Sequence, residues 1–175
     1  MQDVLEKARQ IRLIVFDIDG VLTDGGLILG DSGDEYKVFN VRDGQGLVML
    51  RDSGCYIAVI SARKTRIVAE RMASLGIEHV YQGRDDKGTV LAELMEKLKL
   101  GREQTAYIGD DFLDLPAMNR AGLAIAVADA HPLVKEHAHW TTEARGGRGA
   151  AREVCELIMN AQGTLDPVIR DFLDS

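Results

Sequence analysis

The sequence predicts an α/β domain: a doubly wound, Rossmann-like parallel sheet with helices on both faces. Three features predict it. Continuous apolar runs of three to five residues recur along the chain, the pattern of strands buried on both faces. Between them lie stretches with apolar residues three and four apart, as amphipathic helices require. The 175 residues suffice for a single domain, 1–175, of ordinary size.

In chain order, Leu13-Ile14-Val15-Phe16 is the first strand. From 25 to 39 the rhythm breaks: strand-like flanks surround a Gly/Asp/Ser turn, which predicts a protruding β-hairpin. Residues 56–60 form the next strand, followed by a helix carrying Ile67, Met72 and Leu75 and stopped at Gly76. A second helical stripe, Leu91, Leu94, Met95 and Leu98, is stopped at Gly101. Residues 106–108 and 123–127 supply two more strands. Arg145-Gly146-Gly147-Arg148-Gly149 reads as a flexible connection into a last helix over 150–161, and 163–175 as a flexible tail.

Composition narrows the function. A net charge of −7 argues against a nucleic-acid partner or an anionic membrane surface. A hydrophobic content of 46% excludes an intrinsically disordered chain. No apolar run approaches the roughly 18 residues of a membrane span, and the first ten residues lack a signal-peptide core. Cys55 and Cys155 have no metal-ligand spacing and read as core thiols of a reducing, cytoplasmic compartment.

Asp17-Ile18-Asp19-Gly20 follows directly on the first strand, and the two-residue period puts both carboxylates on one side. Open α/β sheets bind ligands at the C-terminal ends of their strands. Two carboxylates this close require a cation or a raised pKa. Taken alone, the pair also fits a polar Asx turn. Ser61 follows the second strand, where its hydroxyl and the next N–H suit a phosphoryl oxygen; alone, it reads more readily as a helix N-cap. Lys87 alone is a surface lysine. Asp110, Asp111 and Asp114 follow the strand ending at Ile108 and alone suit a helix dipole.

Together these plain readings lose ground. Strand ends deliver a carboxylate pair, a hydroxyl, a cation and further carboxylates at intervals of 44, 26 and 23 residues. The last two intervals each match one crossover, and the first is longer by about a hairpin. All-oxygen ligands suit Mg²⁺ rather than zinc. His131, His137 and His139, near Trp140, lack both the spacing and the acid of a metal site.

These motifs resemble the four that mark the haloacid dehalogenase superfamily of phosphatases. Within it, the stretches 17–25, Phe39-Asn40-Val41-Arg42-Asp43-Gly44, Leu75-Gly76-Ile77, Tyr81-Gln82-Gly83 and 146–153 resemble the bacterial 3-deoxy-D-manno-octulosonate 8-phosphate phosphatases. The likeness covers 13–163. It implies Mg²⁺-dependent hydrolysis of that phosphorylated sugar acid, in lipopolysaccharide precursor biosynthesis. Asp17 would be the nucleophile and carry an aspartyl-phosphate; Asp19 would protonate the leaving alkoxide and then activate water. Mg²⁺ would be held by the Asp17 carboxylate, the Asp19 carbonyl and Asp110. Ser61 would hold a phosphoryl oxygen, Lys87 would balance charge, and Asp111 and Asp114 would orient Lys87 or metal-bound water.

The same resemblance makes Asn40, Val41, Arg42, Asp43 and Gly44 a substrate loop, beside Asp19 and Lys87. Arg63 and Arg71 offer guanidinium forks for a carboxylate or hydroxyls. The Gly146–Gly149 segment, with Arg148, would close the pocket. Val48, where relatives can carry a basic contact, and Ala62, where glycine is usual, depart from the pattern. A separate cap domain needs roughly 50 residues, and none fits between the motifs. The family's answer is a homotetramer whose hairpins associate and cover neighbouring sites. Leu27, Ile28, Leu29, Tyr36, Val38 and Phe39 are the apolar material for that, or for packing on the hairpin's own domain. The competing readings are a phosphatase for a nine-carbon sialic-type 9-phosphate, a non-catalytic oligomerisation module, and a receiver-type domain, which the order of the acids disfavours.

Overall fold

A computed structural model describes residues 1–174. Helix α1 (Gln2–Gln10) leads into β1 (Leu13–Phe16), a wide turn over Ile18–Leu22, the hairpin strands β2 (Ile28–Leu29) and β3 (Glu35–Tyr36), and α2 (Val41–Asp52). Then come β4 (Tyr56–Ser61), α3 (Arg66–Ser74), β5 (His79–Gln82) and α4 (Lys87–Leu98). The second half holds β6 (Thr105–Gly109), α5 (Leu115–Met118), β7 (Leu123–Ala126), α6 (Pro132–His137), β8 (Trp140–Thr141), α7 (Ala150–Gln162) and α8 (Leu165–Asp174).

Six strands form one parallel sheet in the order β5-β4-β1-β6-β7-β8. The chain builds outward from β1 on one side and then returns to build on the other. The order therefore reverses between β1 and β6, where Phe16 lies beside Ile108, and such a reversal opens a crevice beyond the strand ends. Right-handed crossovers put α2 and α3 on one face and α4 and α5 on the other. Helices α1 and α2 both pack on α7, and α4 packs on α5.

All four side chains of β1 are buried. At about 1.5–3 kcal/mol each, they stabilise the fold by roughly 6–12 kcal/mol before chain entropy is counted. Helix α7 buries Ala150, Ala151, Val154, Cys155, Ile158 and Met159, a single helical stripe. It approaches α2 closely because Gly46 leaves room: a Cβ there would lie 3.0 Å from the Arg152 backbone. Both cysteines are buried, and burial pushes the Cys55 thiol up to about 12, so neither is a reactive thiolate. No helix among the described residues is long and apolar enough to cross a membrane.

Several elements differ from the sequence reading. Strands β5 and β8 were not legible, because their residues are only half-buried and form no apolar run. Gly76 ends α3 in the left-handed region, but α4 ends on Lys99, also left-handed, and Gly101 instead opens the short turn Arg102–Gln104. The tail is helical over Leu165–Asp174, with Ser175 outside the described residues: Leu165 and Val168 dock on the core while Ile169 and Phe172 stay exposed. The Gly146–Gly149 segment is a packed strut. Gly146 and Gly147 are buried against the turn after β1, and the Gly147 N–H donates to the Val21 carbonyl at 2.8 Å. Its glycines serve close approach: a Cβ on Gly146 would overlap the Gly20 carbonyl oxygen.

Candidate active site

The ends of β1, β4 and β6 and the start of α4 converge on one open cleft of about 160 Å³. Asp17, Asp19, Ser61, Ala62, Arg63, Lys87, Asp110, Asp111, Leu113 and Asp114 line it. Asp17 leaves β1 with its N–H bonded to the Ile108 carbonyl at 3.1 Å, so strand pairing itself sets its position. The chain then turns sharply through Gly20, whose φ of 102° and missing Cβ let the turn lie against the Asp110 carboxylate. Buried Thr23 holds the turn: its hydroxyl donates to the Ile18 carbonyl and accepts from the N–H groups of Gly20 and Gly25.

Lys87 is buried at the first turn of α4, its Nζ 2.8 Å from Asp17 Oδ1 and 2.7 Å from Asp114 Oδ1. Asp114, fully enclosed, also accepts from the Tyr107 hydroxyl at 2.8 Å and from the N–H groups of Asp110 and Asp111 at 2.9 and 3.2 Å. Four donors hold this carboxylate, which makes it the fixed point of the site. Burial, then Asp114, pushes Asp17 up to about 7 against the opposing pull of Lys87. Burial, then Asp17 and Asp114, pushes Asp110 up to about 8. Burial works against the Lys87 ammonium, yet the two carboxylates outweigh it and raise its pKa.

Such raised carboxyls are what a cluster of acids short of positive charge produces. Oxygens of Asp17, Asp110 and Asp114 all lie within 4.8 Å of one another, and Asp110 Oδ1 is buried without a hydrogen-bond partner. With the lone pairs of Asp114 engaged by its donors, Asp17 and Asp110 are the side chains that fit a hard divalent cation.

The remaining predicted residues divide. Ser61 is buried and accepts from the Arg63 N–H at 3.2 Å. It is not a helix cap, because Thr65 caps α3 through the Val68 N–H. Asp111 lines the cleft but is exposed, and it caps the following turn through the Phe112 N–H at 2.8 Å; the orienting of Lys87 belongs to Asp114. Arg63 reaches the cleft, whereas Arg71 lies in a separate depression with Phe39, Asn40, Asp43 and Gly44. There Arg71 Nε is buried without a hydrogen-bond partner, and Gly44 makes room for its guanidinium.

The 40–44 stretch is the first turn of α2 rather than an open loop. Asn40 caps it through the Arg42 N–H, and Val41 and Arg42 point to solvent. Asp43 is turned into the protein, accepting from the N–H groups of Gly149 and Arg152 at the start of α7 at 3.1 and 2.9 Å. Those donors keep its burial from being ruinous, although burial still raises its carboxyl. Val48 faces α8, with Val168 and Phe172, away from the cleft. His131 and His139 each accept one backbone N–H on separate elements, so the histidines form no cluster.

Sequence reasoning missed three partners. Tyr107, buried in β6, needed a partner for its hydroxyl and found Asp114. Lys37 and Glu35 reach the cleft from the hairpin: Lys37 pairs with Asp19 Oδ1 and lies 3.1 Å from Glu35, which pairs with Arg63 at 2.6 Å. Lys37, ahead of Arg63, holds the Glu35 carboxyl below its ordinary value. The signal was the period of two, which puts residues 35 and 37 on one face and Tyr36 and Val38 on the other.

The comparisons agree with this geometry. The sequence profile of the haloacid dehalogenase-like hydrolases matches residues 77–153. The 3-deoxy-D-manno-octulosonate 8-phosphate phosphatase KdsC of Escherichia coli (strain K12) is 49% identical over 164 residues, 94% of this chain and 87% of the relative. A probable YrbI family phosphatase from Pseudomonas syringae superposes with a TM-score of 0.98 at 54% identity, covering 100% of this chain and 99% of that one. The Moraxella catarrhalis 3-deoxy-D-manno-octulosonate 8-phosphate phosphatase, crystallised with a magnesium ion, a phosphate ion and a KDO molecule, superposes with a TM-score of 0.96 at 42% identity, covering 98% and 99%. With strand order, acidic cluster and relatives in agreement, the chain belongs to the haloacid dehalogenase-like hydrolases, in the family of the 3-deoxy-D-manno-octulosonate 8-phosphate phosphatases.

Proposed function

We propose that this protein hydrolyses 3-deoxy-D-manno-octulosonate 8-phosphate to 3-deoxy-D-manno-octulosonate and phosphate, with Mg²⁺ and through an aspartyl-phosphate on Asp17. The observation that carries the reading is the meeting of Asp17, Asp110 and Lys87 in one cleft at the sheet's reversal point, with Asp110 Oδ1 left without a partner. The likeness to relatives named for that reaction supports the substrate.

Asp17 and Asp110, with the Asp19 main-chain carbonyl, would hold Mg²⁺, whose charge lets a carboxylate approach a phosphate dianion. Asp17 attacks phosphorus in line, and the ester oxygen leaves with a proton from Asp19. Water, deprotonated by Asp19, then releases phosphate from Asp17. Lys87 favours the ionised form of Asp17 and aims it, and Asp114 keeps Lys87 in place. Ser61 and the Ala62 N–H steady a phosphoryl oxygen. Arg63 and Arg71, whose Nε has no hydrogen-bond partner, are the donors for the sugar's carboxylate and hydroxyls, with Asn40, Val41, Arg42, Asp43 and Gly44 shaping that side.

The cleft is open in a single chain, and the hairpin exposes Leu27, Ile28, Leu29, Tyr36 and Val38 beside it. That apolar surface supports a homotetramer in which neighbouring hairpins shield the sites; light scattering that finds a fully active monomer would sink it. Substrate is tested by phosphate release from eight- and nine-carbon ulosonate phosphates side by side, with Mg²⁺ and with EDTA. The eight-carbon ester should turn over faster and only with the metal. A preference for the nine-carbon ester, or release in EDTA, would overturn the assignment.

A further inference from the structure

Lys37 lies in a hairpin of two-residue strands, too short to be stable alone, yet its side chain is 0% exposed. A buried ammonium persists only when it is paired. Lys37 bridges Asp19 Oδ1 and Glu35 Oε1; Glu35 Oε2 accepts from Arg63, and Arg63 Nε stands 3.9 Å from Asp19 Oδ2. The four groups close a ring of alternating charge around one carboxylate. Asp19 Oδ1 is taken up, and only Oδ2 faces a loose neighbour.

We propose that Lys37, braced by Glu35, is a positioning residue for Asp19: it anchors Oδ1 and leaves Oδ2 as the oxygen that exchanges protons with the reacting groups. The inference rests on the reading of Asp19 as acid and base. As the bond from phosphorus to the ester oxygen breaks, the proton passes from Oδ2 to the departing oxygen. In the second half Oδ2 takes a proton from the attacking water. An unanchored Asp19 is free to turn about two side-chain bonds, and misplacement of that size costs on the order of 10–100-fold in rate.

The test separates leaving groups. An alkyl ester such as the proposed sugar phosphate needs a proton to depart; p-nitrophenyl phosphate does not. Lys37→Met should lower the first phosphoryl transfer, read as kcat/KM and as the pre-steady-state burst of leaving group, about 10–100-fold for the sugar phosphate and at least about tenfold less for p-nitrophenyl phosphate, since hydrolysis of the aspartyl-phosphate is common to both. Lys37→Arg should recover most of the loss, and Glu35→Gln should show the same pattern, weaker. Asp19→Asn is the control. If it loses kcat/KM equally on both substrates, the reading of Asp19 as acid fails. If it discriminates and Lys37→Met does not, the positioning role fails and the reading of Asp19 stands. Circular dichroism and the thermal midpoint of each variant show that it is folded; should Lys37→Met not fold, Glu35→Gln decides, and equal loss on both substrates or none overturns the proposal.

Discussion

Asp114→Asn keeps the size of the buried side chain that receives four donors and removes its charge. Lys87 and Tyr107 donate to one oxygen, and the N–H groups of Asp110 and Asp111 donate to the other. An amide has one acceptor oxygen and one NH₂, so in either orientation two donors face a donor. Two contacts are lost at about 1.5–3 kcal/mol each when a charged group is involved, roughly 3–6 kcal/mol in total. Relief of repulsion opposes this, because Asp114 raises Asp17 beyond the effect of burial and, after Asp17, also raises Asp110. That relief is partial near neutral pH, where neither raised carboxyl is fully charged. The net loss is about 2–4 kcal/mol, a fall in thermal midpoint of roughly 4–16 °C for a chain of this length. Urea unfolding at neutral pH without metal reads the first quantity and calorimetry the second. Mg²⁺ affinity, by titration calorimetry, should weaken about 10–100-fold, as for a group that orients ligands. An unchanged urea midpoint would show that the four contacts hold nothing in place, and the account of the site built on them would fail.

Other outcomes follow from the same geometry. Asp17→Asn should abolish phosphate release while circular dichroism stays unchanged, and rapid-quench mass spectrometry should lose the added phosphoryl group; full activity would exclude Asp17 as nucleophile. In metal-free protein the raised carboxyls of Asp17 and Asp110 stabilise the fold most at low pH and lose that contribution as pH rises from about 4 through their folded values of about 7 and 8. The Glu35 carboxyl, lowered in the fold, is already ionised across the upper part of that range. The thermal midpoint should therefore fall from pH 5 to 8 without metal and recover most on adding Mg²⁺ at pH 8; a midpoint that rises over this range contradicts the cluster. Gly146→Ala forces a Cβ into the Gly20 carbonyl and should destabilise by about 3 kcal/mol or more while displacing the Asp19 turn. Urea unfolding and kcat read the two effects, and a stable, fully active variant would show that the strut is not rigid.

What the sequence determined by itself was whatever is periodic or local. β1, β4, β6 and β7 announce themselves because strands buried on both faces must be continuously apolar, and β1, β4 and β6 end at or beside the residue types that the cleft needs. Asp17, Ser61, Lys87 and Asp110 were legible because strand ends of a parallel sheet share one edge, so spacing along the chain maps onto proximity. Tertiary structure alone decided how the charges divide among those groups. Nothing in the run from Gly109 to Asp114 distinguishes Asp110, with its free buried oxygen, from Asp114, whose oxygens are all engaged, until Tyr107 and Lys87 are placed beside them. Asp43 looked like part of a substrate loop until α7 brought its N-terminus to it. Lys37 became a neighbour of Asp19 only when the hairpin folded back. Hydrogen bonds and ion pairs act within a few ångströms, and which distant residues come that close is fixed by the packing of the whole chain.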